Sequence, residues 1–402
     1  MNESPSAQRI HIGIFGKRNV GKSSLINAVT GQDLAVVSNV PGTTTDPVIK
    51  AMELLPIGPV VLIDTPGFDD EGTLGEQRVR KTRQILNRSD IALLVVDAVT
   101  GKTPTDNELI DLFQEKNIPY LVVWNKCDLL SNLPDAVQNE LFVSATATFQ
   151  IAELKNRLAD LHLAAVRSAG GTPPLVSDLL QPGDVVVLVI PIDSAAPKGR
   201  LILPQHQTIR DILEAQATAI AVRETQLSHL IRTASNPDLG LLPKLVITDS
   251  QLFGNVAATI PENIFLTSFS ILFARHKGLL HDAVEGAKIL DILADGDTIL
   301  IAEGCTHHRQ CDDIGTVKLP KWITDYTGKN LNFAFTSGRE FPEDLSPYRL
   351  AVHCGGCMLN DREMLYRAKC ALDQNVPMTN YGILIAHING ILKRSVAMFS
   401  GR

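Results

Sequence analysis

The sequence predicts an α/β protein in which a domain with a mostly parallel sheet is followed by two smaller α/β domains. Three observations indicate this fold. Short apolar runs of strand length alternate with amphipathic stretches of helical periodicity through residues 10–165. Residues 168–174, Ser-Ala-Gly-Gly-Thr-Pro-Pro, cannot continue a helix and form the best linker in the chain. Two further sets of strands and helices follow, so we expect domains at residues 1–172, 173–264 and 265–402.

Uninterrupted apolar runs predict the strands of the first domain. They are Ile10–Phe15, Val60–Ile63, Ile91–Asp97, Tyr120–Trp124 and Leu141–Val143. The predicted helices are the amphipathic stretches Lys22–Val29, Gln77–Leu86, Asn107–Lys116 and Ile151–Ala165. Strands that are apolar along their whole length, with helices between them, are typical of a parallel sheet that is covered on both faces.

The same reasoning predicts the elements of the two later domains. The second domain contains a strongly β-prone run, Asp184–Ile192, a helical pattern around Ile209–Ala221 and a strand at Leu245–Thr248. For the third domain we expect strands at Thr298–Ala302, Leu331–Phe335 and Leu350–Val352, with a helix at Met364–Ala371. Neither domain shows a repeat at solenoid spacing.

Composition excludes several classes of protein. The chain has 402 residues, of which 45% are hydrophobic and 20% charged, as expected for a globular protein. A net charge of −7 argues against a nucleic-acid partner, because binding to a phosphate backbone requires clustered Lys and Arg. The sequence contains neither an apolar run of about 18 residues nor a signal-peptide pattern, and its six cysteines are too few for a disulfide framework. We therefore expect a cytoplasmic protein with no membrane span.

Residues 16–23, Gly-Lys-Arg-Asn-Val-Gly-Lys-Ser, match the phosphate-loop pattern between a predicted strand and a predicted helix. The glycines let backbone N–H groups approach the phosphates, and the start of the helix adds partial positive charge. Lys22 is predicted to contact the β/γ oxygens, and the Ser23 hydroxyl to ligate Mg²⁺. The predicted nucleotide contacts in this segment are Gly16, Asn19, Val20, Gly21, Lys22, Ser23 and Ser24.

Three later segments indicate that the nucleotide is GTP. Residues 64–67, Asp-Thr-Pro-Gly, end an apolar strand, so that Asp64 can hold Mg²⁺ through water and the Gly67 N–H can face the γ-phosphate. Residues 125–128, Asn-Lys-Cys-Asp, end another strand, and the Asp128 carboxylate can accept two hydrogen bonds that guanine offers and adenine does not. The Ser144-Ala145 pair can place a backbone N–H on the guanine oxygen, while Lys126 packs over the base.

These motifs, in this order, resemble the Era/TrmE-like branch of the translation-factor-like small GTPases. The resemblance implies that residues 41–46, Pro-Gly-Thr-Thr-Thr-Asp, form switch I, with Thr44 (or Thr43) as a second Mg²⁺ ligand. It also implies that Lys22, Thr44 and Gly67 act in hydrolysis and that Asn19 helps to hold K⁺. Phe68 occupies the position of the water-orienting Gln of Ras-like enzymes, so intrinsic hydrolysis should be slow.

A second set of residues near the C-terminus has the spacing of metal ligands. Cys305-Thr-His307 follows one predicted strand, and residues 353–357, His-Cys-Gly-Gly-Cys, follow another. Since ligands gather at the carboxyl ends of strands in open α/β sheets, the two segments can meet at one edge. Three thiolates with an open position suit an iron–sulfur cluster, and with a histidine the same set suits zinc. Spacing alone favours neither.

The Cys/His pattern behind an Era/TrmE-like GTPase resembles the [FeFe]-hydrogenase maturation GTPases, and the resemblance extends over essentially the whole chain. It implies a GTP-binding domain, a dimerisation domain and a domain that binds [4Fe-4S] through Cys305, Cys354 and Cys357. His307 and His353 become candidates for the fourth ligand or for hydrogen bonds around the cluster, and Asp193 becomes a speculative oxygen ligand.

The implied function is a GTPase scaffold or carrier that receives a transient di-iron precursor of the hydrogenase active site. The implied partners are a second copy of the chain (as a dimer or tetramer), radical S-adenosylmethionine maturases and apo-hydrogenase. The alternative hypothesis is an RNA- or ribosome-associated GTPase with a structural zinc, against which the acidic charge counts.

Overall fold

Apolar strands form the sheet of the N-terminal unit. In the computed structural model, the first six residues of strand Ile91–Asp97 are all buried, because helices cover both faces of the sheet. The strands are β1 (Ile10–Phe15), β2 (Val48–Leu54), β3 (Gly58–Asp64), β4 (Ile91–Asp97), β5 (Tyr120–Asn125) and β6 (Glu140–Phe142). The helices are α1 (Lys22–Thr30), α2 (Pro104–Glu115) and α3 (Thr148–Ser168).

The six strands lie in the order β2-β3-β1-β4-β5-β6. Only the β2–β3 pair is antiparallel, which confirms the predicted mostly parallel sheet. The carboxyl ends of β1, β3, β4 and β5 therefore lie along one edge, and the predicted nucleotide motifs directly follow three of these strands.

The structure describes residues 9–31, 48–65, 85–133, 137, 139–168, 173–192, 201–236, 241–304, 313–338, 340–357 and 359–399. The chain divides into two units, residues 1–171 and 172–402, close to the linker predicted at 168–174. No described helix has both the length and the apolar character that crossing a bilayer requires.

Two parallel four-stranded sheets form the C-terminal unit. Their strands are β7 (Val185–Val189), β8 (Thr218–Val222), β9 (Leu245–Thr248), β10 (Phe265–Ser268), β11 (Thr298–Ala302), β12 (Asn332–Thr336), β13 (Leu350–His353) and β14 (Met378–Asn380). The orders are β10-β9-β7-β8 and β12-β11-β13-β14. The helices are α4 (Leu203–Glu214), α5 (Glu224–Ala234), α6 (Phe253–Thr259), α7 (Phe269–His276), α8 (Leu280–Ala287), α9 (Leu319–Thr327), α10 (Asp361–Asp373), α11 (Tyr381–Ile388) and α12 (Leu392–Val396).

The two sheets of this unit share one hydrophobic core. Val187 and Val246 from the first sheet belong to the same buried cluster as Ile299 and Leu350 from the second. Burying each such aliphatic side chain contributes about 1.5–3 kcal/mol, so the shared core resists separation of the two sheets. The boundary expected between residues 264 and 265 lies just before β10, which the structure pairs with β9 of the first sheet.

One predicted helix is wrong in its extent. The pattern around Ile209–Ala221 contains the end of α4 and then most of β8. Gln216 adopts a left-handed conformation with φ of 58°, which stops the helix and reverses the chain into the strand. Because β8 is a half-exposed edge strand, its alternating small residues also fit helical spacing.

Candidate functional site

The phosphate loop wraps around the side chain of Lys22. Its ammonium donates to the carbonyl oxygens of Gly16 at 2.8 Å and Lys17 at 2.7 Å. Gly16 and Gly21 have φ of +140° and +91°, where other residues would be strained. A Cβ on Gly16 would also collide with the Val95 carbonyl. The loop between β1 and α1 therefore has the backbone that anion binding requires.

Oxygen ligands meet beside this loop at the carboxyl end of β3. Ser23 Oγ donates to Asp64 Oδ2 at 3.4 Å, while Asp64 Oδ1 is buried and has no hydrogen-bond partner among the described residues. Burial raises the pKa of the Asp64 carboxyl above its ordinary value, although the positive charge of Lys22 and the hydrogen bond from Ser23 act in the opposite direction. A hydroxyl beside a carboxylate with an unused oxygen suits Mg²⁺. Thr44 and Gly67 lie outside the described residues.

The predicted guanine-reading segment contacts the phosphate loop directly. Asn125 Nδ2 donates to the Val20 carbonyl at 2.9 Å, and Lys126 Nζ donates to the Asn19 carbonyl at 2.8 Å. Lys126 Nζ also donates to Asp97 Oδ2 at 2.6 Å, a partner at the end of β4 that sequence reasoning missed. The structure therefore brings together the phosphate loop and the Asn125–Asp128 segment, as their order along the sheet predicts.

Gln150, another residue that sequence reasoning missed, braces the same region. Its side-chain carbonyl accepts the Ser144 backbone N–H at 2.6 Å, and its amide donates to Cys127 Sγ at 3.5 Å. The carboxamide therefore joins the loop after β5 to the loop after β6. No sequence signal marks Gln150, because a glutamine in the first turns of an amphipathic helix is unremarkable until the fold brings it against both loops.

The second predicted site lies at the carboxyl end of β13. Cys354 Sγ accepts the backbone N–H of Gly304 at 3.0 Å and that of Gly356 at 3.4 Å. N–H donors around a cysteine sulfur are characteristic of sites that hold iron–sulfur clusters, where they stabilise the thiolate. Gly304 directly precedes Cys305 in the sequence, and Cys357 ends the same loop as Cys354.

The remaining predicted ligands are outside what the structure describes. Cys305, His307, Cys311 and Asp193 are among the residues that it leaves out. Within the described residues, no group of three or more His, Cys, Asp and Glu side chains could hold a metal ion. Of the three predicted thiolate ligands, the structure therefore describes Cys354 and Cys357, and the third is predicted at Cys305.

A buried lysine holds the loop that carries both cysteines. Lys277 Nζ donates to the carbonyl oxygens of Gly356 at 3.1 Å and Leu359 at 3.4 Å, and lies 3.6 Å from Asp361 Oδ1. Burial lowers the pKa of Lys277, whereas Asp361 opposes that shift. Burial also raises the pKa of the Cys357 thiol, and the Lys277 charge acts against it. This cation therefore favours the thiolate.

His353 is completely buried, and both of its ring nitrogens have partners. Nδ1 lies 2.7 Å from the Cys354 carbonyl oxygen, and Nε2 lies 3.0 Å from Arg367 Nη1. Of its two predicted roles, fourth ligand or hydrogen-bonding neighbour of the cluster, this geometry favours the second.

A cavity of about 400 Å³ opens beside Cys354. Its walls are mostly apolar and come from α7, α8, α10, β14 and the segments next to them; they include Ile289, Met364, Leu372 and Val376. Such a volume falls within the range of small-molecule sites. The cavity therefore provides space next to one of the predicted cluster ligands.

Comparison with known families decides the relationship. Residues 175–278 match the Hydrogen maturase F dimerization domain, and residues 281–398 match the Hydrogen maturase F tetramerization domain, which together make up more than half of the chain. The chain belongs to the hydrogen maturase F family. Residues 11–126 match the 50S ribosome-binding GTPase family. This maturase therefore combines an N-terminal domain of a GTPase family with a C-terminal unit that carries the dimerization and tetramerization domains of its family.

Individual relatives resemble only part of this maturase. It is 36% identical over 143 residues to the tRNA modification GTPase MnmE of Desulforamulus reducens, which covers 35% of this chain and 30% of that protein. It is 38% identical over 134 residues to GTPase Der of Clostridium perfringens, which covers 32% of this chain and 30% of that protein. The chain thus spans about a third of the length of these curated relatives.

Solved structures resemble the chain at low global similarity. A probable GTP-binding protein engB has 26% identity and a TM-score of 0.31, covering 38% of this chain and 99% of that chain. Era in complex with MgGDPNP and nucleotides of 16S ribosomal RNA has 19% identity and a TM-score of 0.34, covering 53% of this chain and 92% of that chain.

Proposed function

We propose that this maturase is a scaffold or carrier that binds a [4Fe-4S] cluster and assembles or delivers the di-iron precursor of the [FeFe]-hydrogenase active site. Cys305, Cys354 and Cys357 hold the cluster. Radical S-adenosylmethionine maturases supply the precursor and apo-hydrogenase receives it, while the chain works in the cytoplasm as a dimer or tetramer. A bound cluster supplies an iron to which cargo can attach.

One observation carries this proposal. The Gly304 N–H lies 3.0 Å from Cys354 Sγ, so the segment that leads into Cys305 is anchored to the second cysteine of the set. Consecutive Cα atoms are only about 3.8 Å apart, which supports convergence of the two segments on one cofactor. The mostly apolar cavity beside Cys354 supports a cargo role, since its volume offers room for a small metal complex.

In the N-terminal unit, we assign the phosphates to the loop around Lys22. Ser23, Asp64 and Thr44 hold Mg²⁺, which neutralises charge on the β- and γ-phosphates when it is bound. The Gly67 N–H contacts the γ-phosphate, and Asn19 helps to hold K⁺. The predicted contacts with the rest of the nucleotide are Gly16, Val20, Gly21, Ser24, Asn125, Lys126, Asp128, Ser144 and Ala145.

Hydrolysis serves as a timing switch in this proposal. The phosphate loop and the cysteine loop belong to different units of the chain, so different residues carry out GTP cleavage and hold the cluster. A change at residues 39–46 and 64–76 between nucleotide states alters the surface that partners recognise. Nucleotide state then sets when cargo is accepted or released.

Anaerobic reconstitution with iron and sulfide tests the cluster. The full chain should turn brown and give a [4Fe-4S] electron paramagnetic resonance signal on reduction, with about four irons per chain. Cys354→Ala and Cys357→Ala should lose most of this iron. Cys370→Ala is the matched control, because this cysteine lies on α10 away from the loop and should keep the signal. A colourless wild-type protein that binds zinc would contradict the proposal.

The timing role has its own test. Lys22→Ala should lower the rate of GTP hydrolysis by at least about 100-fold, since it removes the ammonium around which the phosphate loop folds. The same variant should fail to mature apo-hydrogenase although its cluster is intact, whereas the helix-surface control Lys155→Ala should behave like wild type. Unimpaired maturation by Lys22→Ala would show that hydrolysis has no timing role.

A further inference from the structure

A charged side chain is buried next to His353, the residue that directly precedes Cys354. Arg367, on α10, is 0% exposed and is the largest fully buried side chain among the described residues. Burying a guanidinium costs several kcal/mol unless its charge and its donors are matched. The partners of Arg367 therefore explain what keeps it there.

Most of these partners are structural. Arg367 Nε and Nη2 both lie 2.9 Å from Glu363 Oε1, one turn earlier on the same helix, which balances the charge. Nη2 also donates to the Gly338 carbonyl at 3.0 Å, and the guanidinium lies over the Phe341 ring at 5.0 Å. These contacts use one side of the guanidinium. The remaining group, Nη1, points to His353 Nε2 at 3.0 Å.

Hydrogen-bond chemistry then fixes the state of the imidazole. Arginine has donors only, so His353 Nε2 must be the acceptor in this contact. The Cys354 carbonyl is an acceptor only, so Nδ1, 2.7 Å away, must carry the proton. The pair of contacts is satisfied by one form alone, the neutral ring protonated at Nδ1.

We propose that Arg367 is a positioning residue for the cysteine site, which holds His353 as a neutral Nδ1–H donor to the Cys354 backbone. It fixes the carbonyl of the residue whose sulfur faces Gly304, and it occupies the His353 nitrogen that otherwise binds iron or zinc. His353 is thereby kept out of the metal's coordination shell. The predicted effect on a bound cluster rests on the proposed function, whereas the contact between Arg367 and His353 is independent of it.

A purely structural role explains the network less well. Glu363 and Arg367 already satisfy each other's charge, and apolar side chains of similar volume often stabilise a protein more than a buried ion pair does. In this ion pair, Arg367 Nη1 faces the imidazole next to Cys354 and donates a hydrogen bond that an apolar side chain could not supply.

Paired variants separate positioning from stability. Arg367→Met alone leaves the buried Glu363 carboxylate without its cation and lowers stability. The decisive variant is therefore the double substitution Arg367→Met with Glu363→Leu, which removes both charges. Its melting temperature should lie within a few degrees of that of wild type. Lys369→Met, an exposed cation on the same helix, is the control. In the metal-free full chain with ¹⁵N-labelled histidine, the His353 signal is assigned by its loss in His353→Gln.

The expected result is a single Nδ1–H tautomer in wild type and in Lys369→Met, and a mixture with the Nε2–H tautomer in the double variant. Retention of the pure Nδ1–H form by a folded double variant would overturn the role of Arg367. So would a wild-type ring protonated at Nε2.

A second measurement addresses the cluster. After reconstitution, the double variant should lose iron to a chelator about tenfold faster than wild type and Lys369→Met, because outer hydrogen-bonding partners commonly change metal affinity by about that factor or more. Equal rates would overturn the link between Arg367 and the metal site. If wild type takes up no iron, the proposed function fails, while the tautomer measurement still decides whether Arg367 positions His353.

Discussion

Replacing Gln150 with alanine tests how the guanine site is assembled. The side-chain carbonyl of Gln150 accepts the Ser144 N–H at 2.6 Å, and Ser144 is only 4% exposed. Without that partner, a buried N–H is left unsatisfied, at a cost of about 1–3 kcal/mol. Gln150 is itself half-buried, so water can replace part of the lost side chain and the lower end of this range applies.

A loss of about 1 kcal/mol from the ordered loop corresponds to roughly fivefold weaker nucleotide binding. We expect Gln150→Ala to weaken GDP and IDP equally, because the proposed contact of the Ser144-Ala145 loop is with the base oxygen, which hypoxanthine keeps. Asp128→Asn is the matched comparison. It should discriminate between the two nucleotides, since the proposed contact of its carboxylate is with the exocyclic amine that hypoxanthine lacks.

Titration of fluorescent GDP and IDP analogues measures both effects. If Gln150→Ala leaves both affinities unchanged, its hydrogen bond does not hold the loop. If it changes the ratio of the two affinities, the loop is not reading the oxygen alone. Either outcome would refute the assignment of Gln150 as a brace between the two base-reading loops.

Three further predictions follow from burial. Asp64→Asn should stabilise the nucleotide- and Mg²⁺-free protein at pH 7, because burial raises the pKa of this carboxyl and disfavours its charged form; in thermal melts the difference should fall as pH drops through that raised pKa and vanish below about pH 4. Lys277→Met should slow alkylation of Cys357 at pH 8 several-fold, because the cation lowers the pKa of that thiol. Gly315→Ala should cost about 1–3 kcal/mol without changing GDP affinity, since its Cβ would collide with the Tyr381 hydroxyl.

Controls make these three predictions specific. A persistent Asp64→Asn stabilisation below pH 4 would mean that the effect does not come from ionisation. Lys288→Met removes an exposed cation and should leave the Cys357 rate unchanged, so a similar slowing there would contradict the role of Lys277. An unchanged melting temperature for Gly315→Ala would show that the helical turn at Ile314–Lys318 shifts freely to admit a methyl group.

Local patterns predicted the strand–loop–helix arrangement around residues 16–23 correctly. The glycines and the lysine of this loop act within a few positions of each other, so the sequence alone indicates the local structure. The parallel sheet followed from runs such as Ile91–Asp97, since burial on both faces removes polar alternation. β8 was mistaken for helix because an edge strand lacks this signature.

Partners that are distant along the chain could not be predicted. Lys277 meets Gly356 across 79 positions, and Asn125 meets Val20 across 105. Nothing in the sequence distinguishes a buried lysine or arginine from an exposed one. His353 meets Arg367, fourteen positions later, so the pattern His-Cys-Gly-Gly-Cys alone could not distinguish a metal ligand from a hydrogen-bonding neighbour of the cluster.

Lys277 lies at the end of the stretch that matches the dimerization domain, whereas the carbonyls it binds belong to the stretch that matches the tetramerization domain. Its ammonium thus connects, through hydrogen bonds, two domains that the family boundaries treat as separate. Cutting the chain between them would remove the hydrogen bonds of Lys277 to the cysteine loop, so a C-terminal fragment expressed alone would not preserve the loop as it is in the intact chain.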